Sequence, residues 1–173
     1  MNGVRALAVA DWEGVLRINA ESLPGVACLD RHELERLLSM PNEHLAIEGP
    51  DGGLGGYLLA FRNDAPYDGE EFLTFAKSAS ESFIYIDQLA IETSYRQAGL
   101  GSILYEALEL RAKNSLVARL CCEINLEPPN PTSLAFHRAK GFTQSGSLAT
   151  TDGRMVALMV KPLVSTEAET RET

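Results

Sequence analysis

The 173-residue chain has little that would hold it in a membrane and little that would tie it together covalently. No apolar run approaches the ~20 residues needed to span a bilayer. The opening residues, MNGVRALAVADW, lack the apolar core and cleavage site of a secretory signal. Three cysteines, an odd number with Cys121 and Cys122 adjacent, make no disulfide framework, and without a C-x-x-C pair no metal site is expected. These absences together predict a cytoplasmic protein. Basic residues are scarce as well: 15 Lys and Arg stand against 24 Asp and Glu, a net charge of −9. That balance argues against a nucleic-acid partner, whose binding rests on neutralising phosphates. It suits a cationic acceptor such as an amine, although solubility alone explains it more simply. What is present is ordinary for a soluble globular domain, with 45% hydrophobic and 23% charged residues, enough for one sizeable core.

The most informative stretch is Arg96-Gln97-Ala98-Gly99-Leu100-Gly101, between a strand-like run, Phe83 to Ile91, and an amphipathic helix beginning at about Leu100. Leu100, Leu104, Ala107 and Leu108, then Arg111, recur on one helical face. Glycine lets backbone come close to a ligand, and a helix N-terminus offers unpaired N–H groups at the positive end of its dipole. The combination is a phosphate cradle. Its expected contacts are the charge of Arg96 and the backbone of Gln97, Ala98, Gly99, Leu100, Gly101 and Ser102. Neither G-x-G-x-x-G nor G-x-x-x-x-G-K-[ST] is present, so a dinucleotide fold and a P-loop are both excluded.

The motif R-x-x-G-x-G after IDQLAI resembles the pyrophosphate-binding motif of the GNAT superfamily, the acyl-CoA-dependent N-acetyltransferases. A second stretch, Asn130 to Phe142, resembles that family's N-x-x-A-x-x-F-Y-x-x-x-G-F element, with Ser133 in place of Ala and His137 in place of Tyr. The resemblance implies an α/β fold: a single GNAT-like domain with a mixed, mostly antiparallel sheet splayed between its fourth and fifth strands and helices on both faces. It implies a domain over 1–164, leaving 165–173 as a polar, disordered tail. It further implies direct transfer of an acetyl group from acetyl-CoA, as cosubstrate, to a primary amine. The main chain of Leu89, Ala90 and Ile91 would then bond the pantetheine and the thioester carbonyl, and Asn130 would bond the pantetheine near the sulfur. His137 would take the place of the tyrosine that protonates the leaving thiolate, although imidazole is an acid only when protonated. That departure keeps a catalytically silent acyl-CoA-binding module as the rival reading, beside a dimeric interaction protein that retains the fold; a homodimer is compatible with either.

In chain order, Val4 to Val9 reads as a strand, and Asp11 as the N-cap of a helix to about Ser22 with Val15, Leu16, Ile18 and Ala20 facing the sheet. Asp30 opens a second helix, Arg31 to Ser39, and the segment Leu23 to Leu29 would lie over the substrate cleft. Strands follow at His44 to Glu48 and Leu54 to Arg62, where Gly55 and Gly56 suggest a bulge or a close backbone approach. The insertion from Asn63 to Ser82 reads two ways. It is an acceptor-side lid with Tyr67, Phe72 and Phe75 as contacts, or a surface excursion with Phe72 and Phe75 tucked onto the core. Leu116 to Asn125, Phe142 to Ala149 and Met155 to Val160 complete the strands, with Asn130 doubling as the N-cap of a helix to Lys140 and Gly141 as its C-terminal cap.

Amine attack also needs a base. Asp87 and Glu123, on the two strands flanking the splay, are the candidates. Strict alternation puts Tyr85, Asp87 and Leu89 on one face of the fourth strand and Ile84, Ile86, Gln88 and Ala90 on the other, which makes Tyr85 an alternative acid. Cys121 and Cys122 read as core rather than as nucleophiles.

Overall fold

The computed structural model describes residues 3–163, so the tail expected to be disordered lies outside the described residues. The strands are β1 (Val4–Ala6), β2 (Leu45–Glu48), β3 (Leu54–Arg62), β4 (Phe83–Ile91), β5 (Arg119–Glu127), β6 (Thr143–Ala149) and β7 (Met155–Pro162). The helices are α1 (Trp12–Glu21), α2 (Arg31–Ser39), α3 (Glu70–Ser78), α4 (Leu100–Asn114) and α5 (Pro131–Ala139). The strands form one seven-stranded sheet in the order β1-β2-β3-β4-β5-β7-β6. Only β4 and β5 run parallel, as their connection through the crossover helix α4 requires.

Local chemistry sets most element ends. Asp30 accepts from the N–H of Glu33 at 2.7 Å and starts α2. Asp11 does not cap α1: its carboxylate takes both terminal nitrogens of Arg5 at 2.7 Å and the N–H of Ala8 at 2.8 Å, pinning the end of β1 instead. Along α1 the buried residues are Val15, Ile18 and Asn19, while Ala20 is exposed. Leu116 falls in a left-handed turn at φ 55 with 78% exposure, which delays β5 to Arg119. Gly56 marks a close approach, since a Cβ there would stand 2.9 Å from the carbonyl of Ala90. Gly141, at φ +89, closes α5.

Two irregularities shape the centre of the sheet. β4 and β5 pair from Phe83↔Arg119 to Ile86↔Cys122 and then part, although each strand continues. Against β3, the register jumps from Ala60↔Ile86 to Leu59↔Gln88, so Asp87 is an extra residue, a β-bulge. One inserted residue reverses the alternation beyond it. Leu89 therefore packs with Ile84 and Ile86 toward α4, while Gln88 and Ala90 join Tyr85 on the opposite face, which corrects the grouping drawn from strict alternation. The core accordingly lies in two layers. One, between the sheet and α4, contains Leu104, Leu108, Leu120 and Phe142. The other, under α1, α2 and α3, contains Ile18, Leu34, Phe61 and Phe72.

Candidate active site

A cavity of about 900 Å³ opens where β4 and β5 separate. The phosphate loop and the start of α5 line one side, and Pro24 to Ala27, Tyr67, Glu71 and Arg154 line another. Beyond Ile86 and Cys122 the facing edges of the two strands have no strand partner, so their main-chain groups are available to a ligand lying in the gap. Leu89, Ala90 and Ile91 all border it, though the carbonyl of Ile91 already accepts from Nε of Arg96 at 3.3 Å.

At the loop, Gln97 at φ 67 and Gly99 at φ 84 turn the chain through the left-handed region. The N–H groups of Gln97, Gly99, Leu100, Gly101 and Ser102 have no backbone acceptor, whereas that of Ala98 is given to Tyr95. A concave run of free N–H groups at the start of a 15-residue helix is an anion nest, so the residues present fit a pyrophosphate. Ala98 drops out of the expected donors because its N–H closes the preceding turn. The guanidinium of Arg96 points back toward α1, to the carbonyl of Glu21 at 3.4 Å and Oγ of Ser22 at 3.2 Å. Asn130 holds α5 by accepting from the N–H of Ser133 at 3.1 Å, which leaves its amide NH2 for the cavity it borders.

His137 is 7% exposed and borders the same cavity. Its Nδ1 lies 2.7 Å from the carbonyl of Ser133, which can only accept, so Nδ1 carries the hydrogen. Nε2 of the neutral ring is then bare and receives the hydroxyl of Tyr105 from α4. Burial pushes the imidazole below its ordinary pKa, only partly offset by the Ser133 carbonyl. The neutral ring has no free N–H.

On the other side of the gap stand two carboxyls, each bonded by a tyrosine. Tyr67 donates to Asp87 and Tyr85 donates to Glu123, both at 2.6 Å. Burial pushes Asp87 up to about 6 against the lowering effect of Tyr67. It also raises Glu123 well above the usual carboxylate range, with the neighbouring charge of Asp87 adding to the effect. Asp87 is thus poised to take a proton near neutrality. Cys121 and Cys122 are buried with thiols raised by burial, the opposite of an activated nucleophile.

The insertion combines its two expected readings. Phe72 and Phe75 are buried in the core, 2% and 5% exposed, and are not cavity contacts, while Tyr67 and Glu71 do border the cavity. Sequence reasoning missed Tyr105, Asn125 and Arg154. Arg154 is held by Asp152, two residues before it, at 2.8 Å, and by Glu71 at 2.9 Å and Asn125 at 3.1 Å, the last two so distant in the chain that no local pattern announces them. Tyr105 did carry a signal, as a lone hydroxyl among the otherwise apolar buried positions of α4, Leu104, Leu108 and Ala112.

Residues 12–142 match the model of the acetyltransferase (GNAT) family. The chain belongs to the GNAT family. As a GNAT acetyltransferase it takes its acetyl group from acetyl-CoA. No curated protein matches the chain in sequence. Solved structures share the GNAT fold at low identity. The ribosomal-protein-S18-alanine N-acetyltransferase of Escherichia coli aligns over 100% of both chains at 17% identity and a TM-score of 0.72. A phosphinothricin acetyltransferase of Sinorhizobium meliloti, in complex with acetyl-CoA, aligns over 99% of this chain and 93% of its own at 21% identity and a TM-score of 0.71. Naa20 of Chaetomium thermophilum, in complex with a bisubstrate analogue, aligns over 92% and 86% at 15% identity and a TM-score of 0.72.

Proposed function

We propose that this GNAT acetyltransferase moves the acetyl group directly to a primary amine that enters beside Asp87 and Glu123. The observation that carries the reading is the two-sided cavity, with an N–H nest on one side of the strand gap and two tyrosine-bonded carboxyls of raised pKa on the other. A free N–H or amide on the splayed edge would polarise the thioester carbonyl. The amine nitrogen forms its bond to the carbonyl carbon and gives a proton to Asp87 or Glu123, and the carbon–sulfur bond breaks with its electron pair leaving on sulfur. The Nδ1 hydrogen of His137 is fixed on a backbone carbonyl, whereas the Tyr105 hydroxyl, which gives its hydrogen to Nε2, can rotate, so the hydrogen the pair can turn to the thiolate is the Tyr105 hydroxyl's. In this account His137 orients that hydroxyl. The proton lost by the amine balances the one gained by sulfur. The buried, unpaired Cys121 and Cys122 support the expectation of a reducing, cytoplasmic setting.

The test is thiol release from acetyl-CoA with n-butylamine, benzylamine, spermidine and a peptide with a free N-terminal alanine, each product checked by mass. At least one amine should accelerate release and appear acetylated. Release no faster than without amine, from protein that still binds CoA, would favour the silent binding module.

A further inference from the structure

Asn19, Tyr57 and Gln88 form a polar knot inside the apolar layer under α1. Their exposures are 1%, 0% and 4%. Nδ2 of Asn19 lies within bonding distance of the carbonyl of Ala27 at 2.9 Å, and of Tyr57 Oη and Gln88 Oε1 at 3.1 Å each. Its Oδ1 accepts from the N–H of Leu29 at 2.9 Å. Tyr57 donates to Gln88 Oε1, and Gln88 Nε2 donates to the same Ala27 carbonyl, both at 3.1 Å. The two backbone groups fix the orientation of both amides, since a carbonyl can only accept and an N–H can only donate.

Packing does not by itself call for such a knot. Val15, Ile18, Leu29 and Leu59 already surround it, and apolar side chains of similar size would hold α1 to the sheet without buried polar groups that must all be satisfied. What the knot does, and apolar contacts cannot, is grip the backbone of Ala27 and Leu29 in a segment with no regular secondary structure. The residues just before that grip, Pro24 to Ala27, are a wall of the cavity, and Val26 packs with the layer that also holds Tyr67. The wall thus stands on the Asp87 side of the sheet, across from α4 and α5. Gln88 reaches it only because the bulge at Asp87 turns residue 88 to that face.

We propose that Asn19 and Gln88 are positioning residues for the acceptor: by fixing the 24–27 segment they set the shape of the amine-side wall and leave the CoA side untouched. The proposal rests on the acetyltransferase reading above.

The test compares the parent protein with Asn19→Leu and, in case that variant does not fold, Gln88→Met. Hydrogen exchange at the Leu29 amide is read with CoA bound, and kinetics are read with whichever amine of the four-member panel the parent uses best. The loss of hydrogen bonds of ordinary strength should raise the acceptor KM about tenfold, with kcat within about threefold and CoA affinity within about twofold. Leu29 exchange should quicken. Unchanged Leu29 exchange in a folded variant overturns the grip, and quicker exchange with an unchanged acceptor KM overturns the wall's role. A parallel loss of kcat and CoA affinity marks a merely structural knot and also overturns the proposal. If the parent binds CoA but acetylates none of the panel, the transfer reading fails instead, and the exchange arm still decides whether the knot holds the wall.

Discussion

The Tyr105 hydroxyl donates to Nε2 of His137, and the opposite nitrogen of that ring is given to the Ser133 carbonyl. In the proposed transfer a histidine on α5 and a tyrosine on α4 act as one unit, with the tyrosine holding the transferable hydrogen. Tyr105→Phe should lower kcat on the order of 10²-fold, the scale of losing a general acid, with CoA affinity kept. His137→Phe should cost no more than that, and the double variant should be no slower than Tyr105→Phe alone, because groups acting as a unit do not add. Steady-state rates with a verified acceptor check this. A His137→Phe slower than Tyr105→Phe would make the ring itself the donor.

The phosphate nest separates ligand effects from fold effects. A Cβ on Gly101 would meet its nearest protein atom at 3.5 Å, ordinary contact, so Gly101→Val should fold while its side chain obstructs the close backbone approach a pyrophosphate needs. Calorimetric titration should show CoA affinity reduced more than about tenfold, as expected when close approach and charge-assisted N–H bonds are both lost. Gly99→Ala has open space but φ +84, so it should cost about 1–2 kcal/mol of stability through backbone strain. Unchanged CoA affinity in folded Gly101→Val would remove the nest from the account.

Asp87 gives a pH signature. Its pKa of about 6 lies above the unfolded value of 3.8, so the folded chain holds that proton more tightly, and the group's cost to folding grows as pH rises from about 4 and is complete above about 6. Asp87→Asn should therefore raise the melting temperature at pH 8, and the gain should vanish near pH 3, where the carboxyl is protonated folded or unfolded. In the parent, kcat/KM should climb through about pH 6 as the base ionises, unless Glu123 alone takes the amine proton. A melting gain equal at both pH values would contradict the burial of an ionised Asp87.

His44 tests the same reasoning with the opposite sign. It is 3% exposed, accepts the N–H of Ala60 at 3.0 Å, and burial lowers its pKa to about 4. Between the unfolded value near 6.5 and about 4 the unfolded chain binds the extra proton, so stability falls as pH falls through that window, by up to about 3 kcal/mol. Thermal melts of His44→Gln across the window should show a shallower fall than the parent.

Much of this was legible in the chain. The loop at Arg96 to Gly101, the helix opened by Asn130 and Pro131 and the succession of strands along the chain follow from local signals whose physics is local: glycine at left-handed angles, a side chain bonding the N–H three residues on, and short apolar runs. The arrangement of the sheet was legible only through the GNAT resemblance. The bulge was not legible, because an extra residue at Asp87 looks like continuous strand until the partner register is known, and it decided where Leu89 and Gln88 point. Asn19 could be read only as a polar residue on a helix, since its partners lie 8 to 69 residues away. Arg154 likewise depends on Glu71, 83 residues distant.

Direct transfer is tested most simply by initial rates measured across a grid of acetyl-CoA and amine concentrations. A site that holds both substrates across the β4–β5 gap predicts reciprocal plots that intersect, with no thiol released beyond background when amine is absent. Parallel lines with a burst of thiol from acetyl-CoA alone would mean a covalent acetyl-enzyme and would contradict the account.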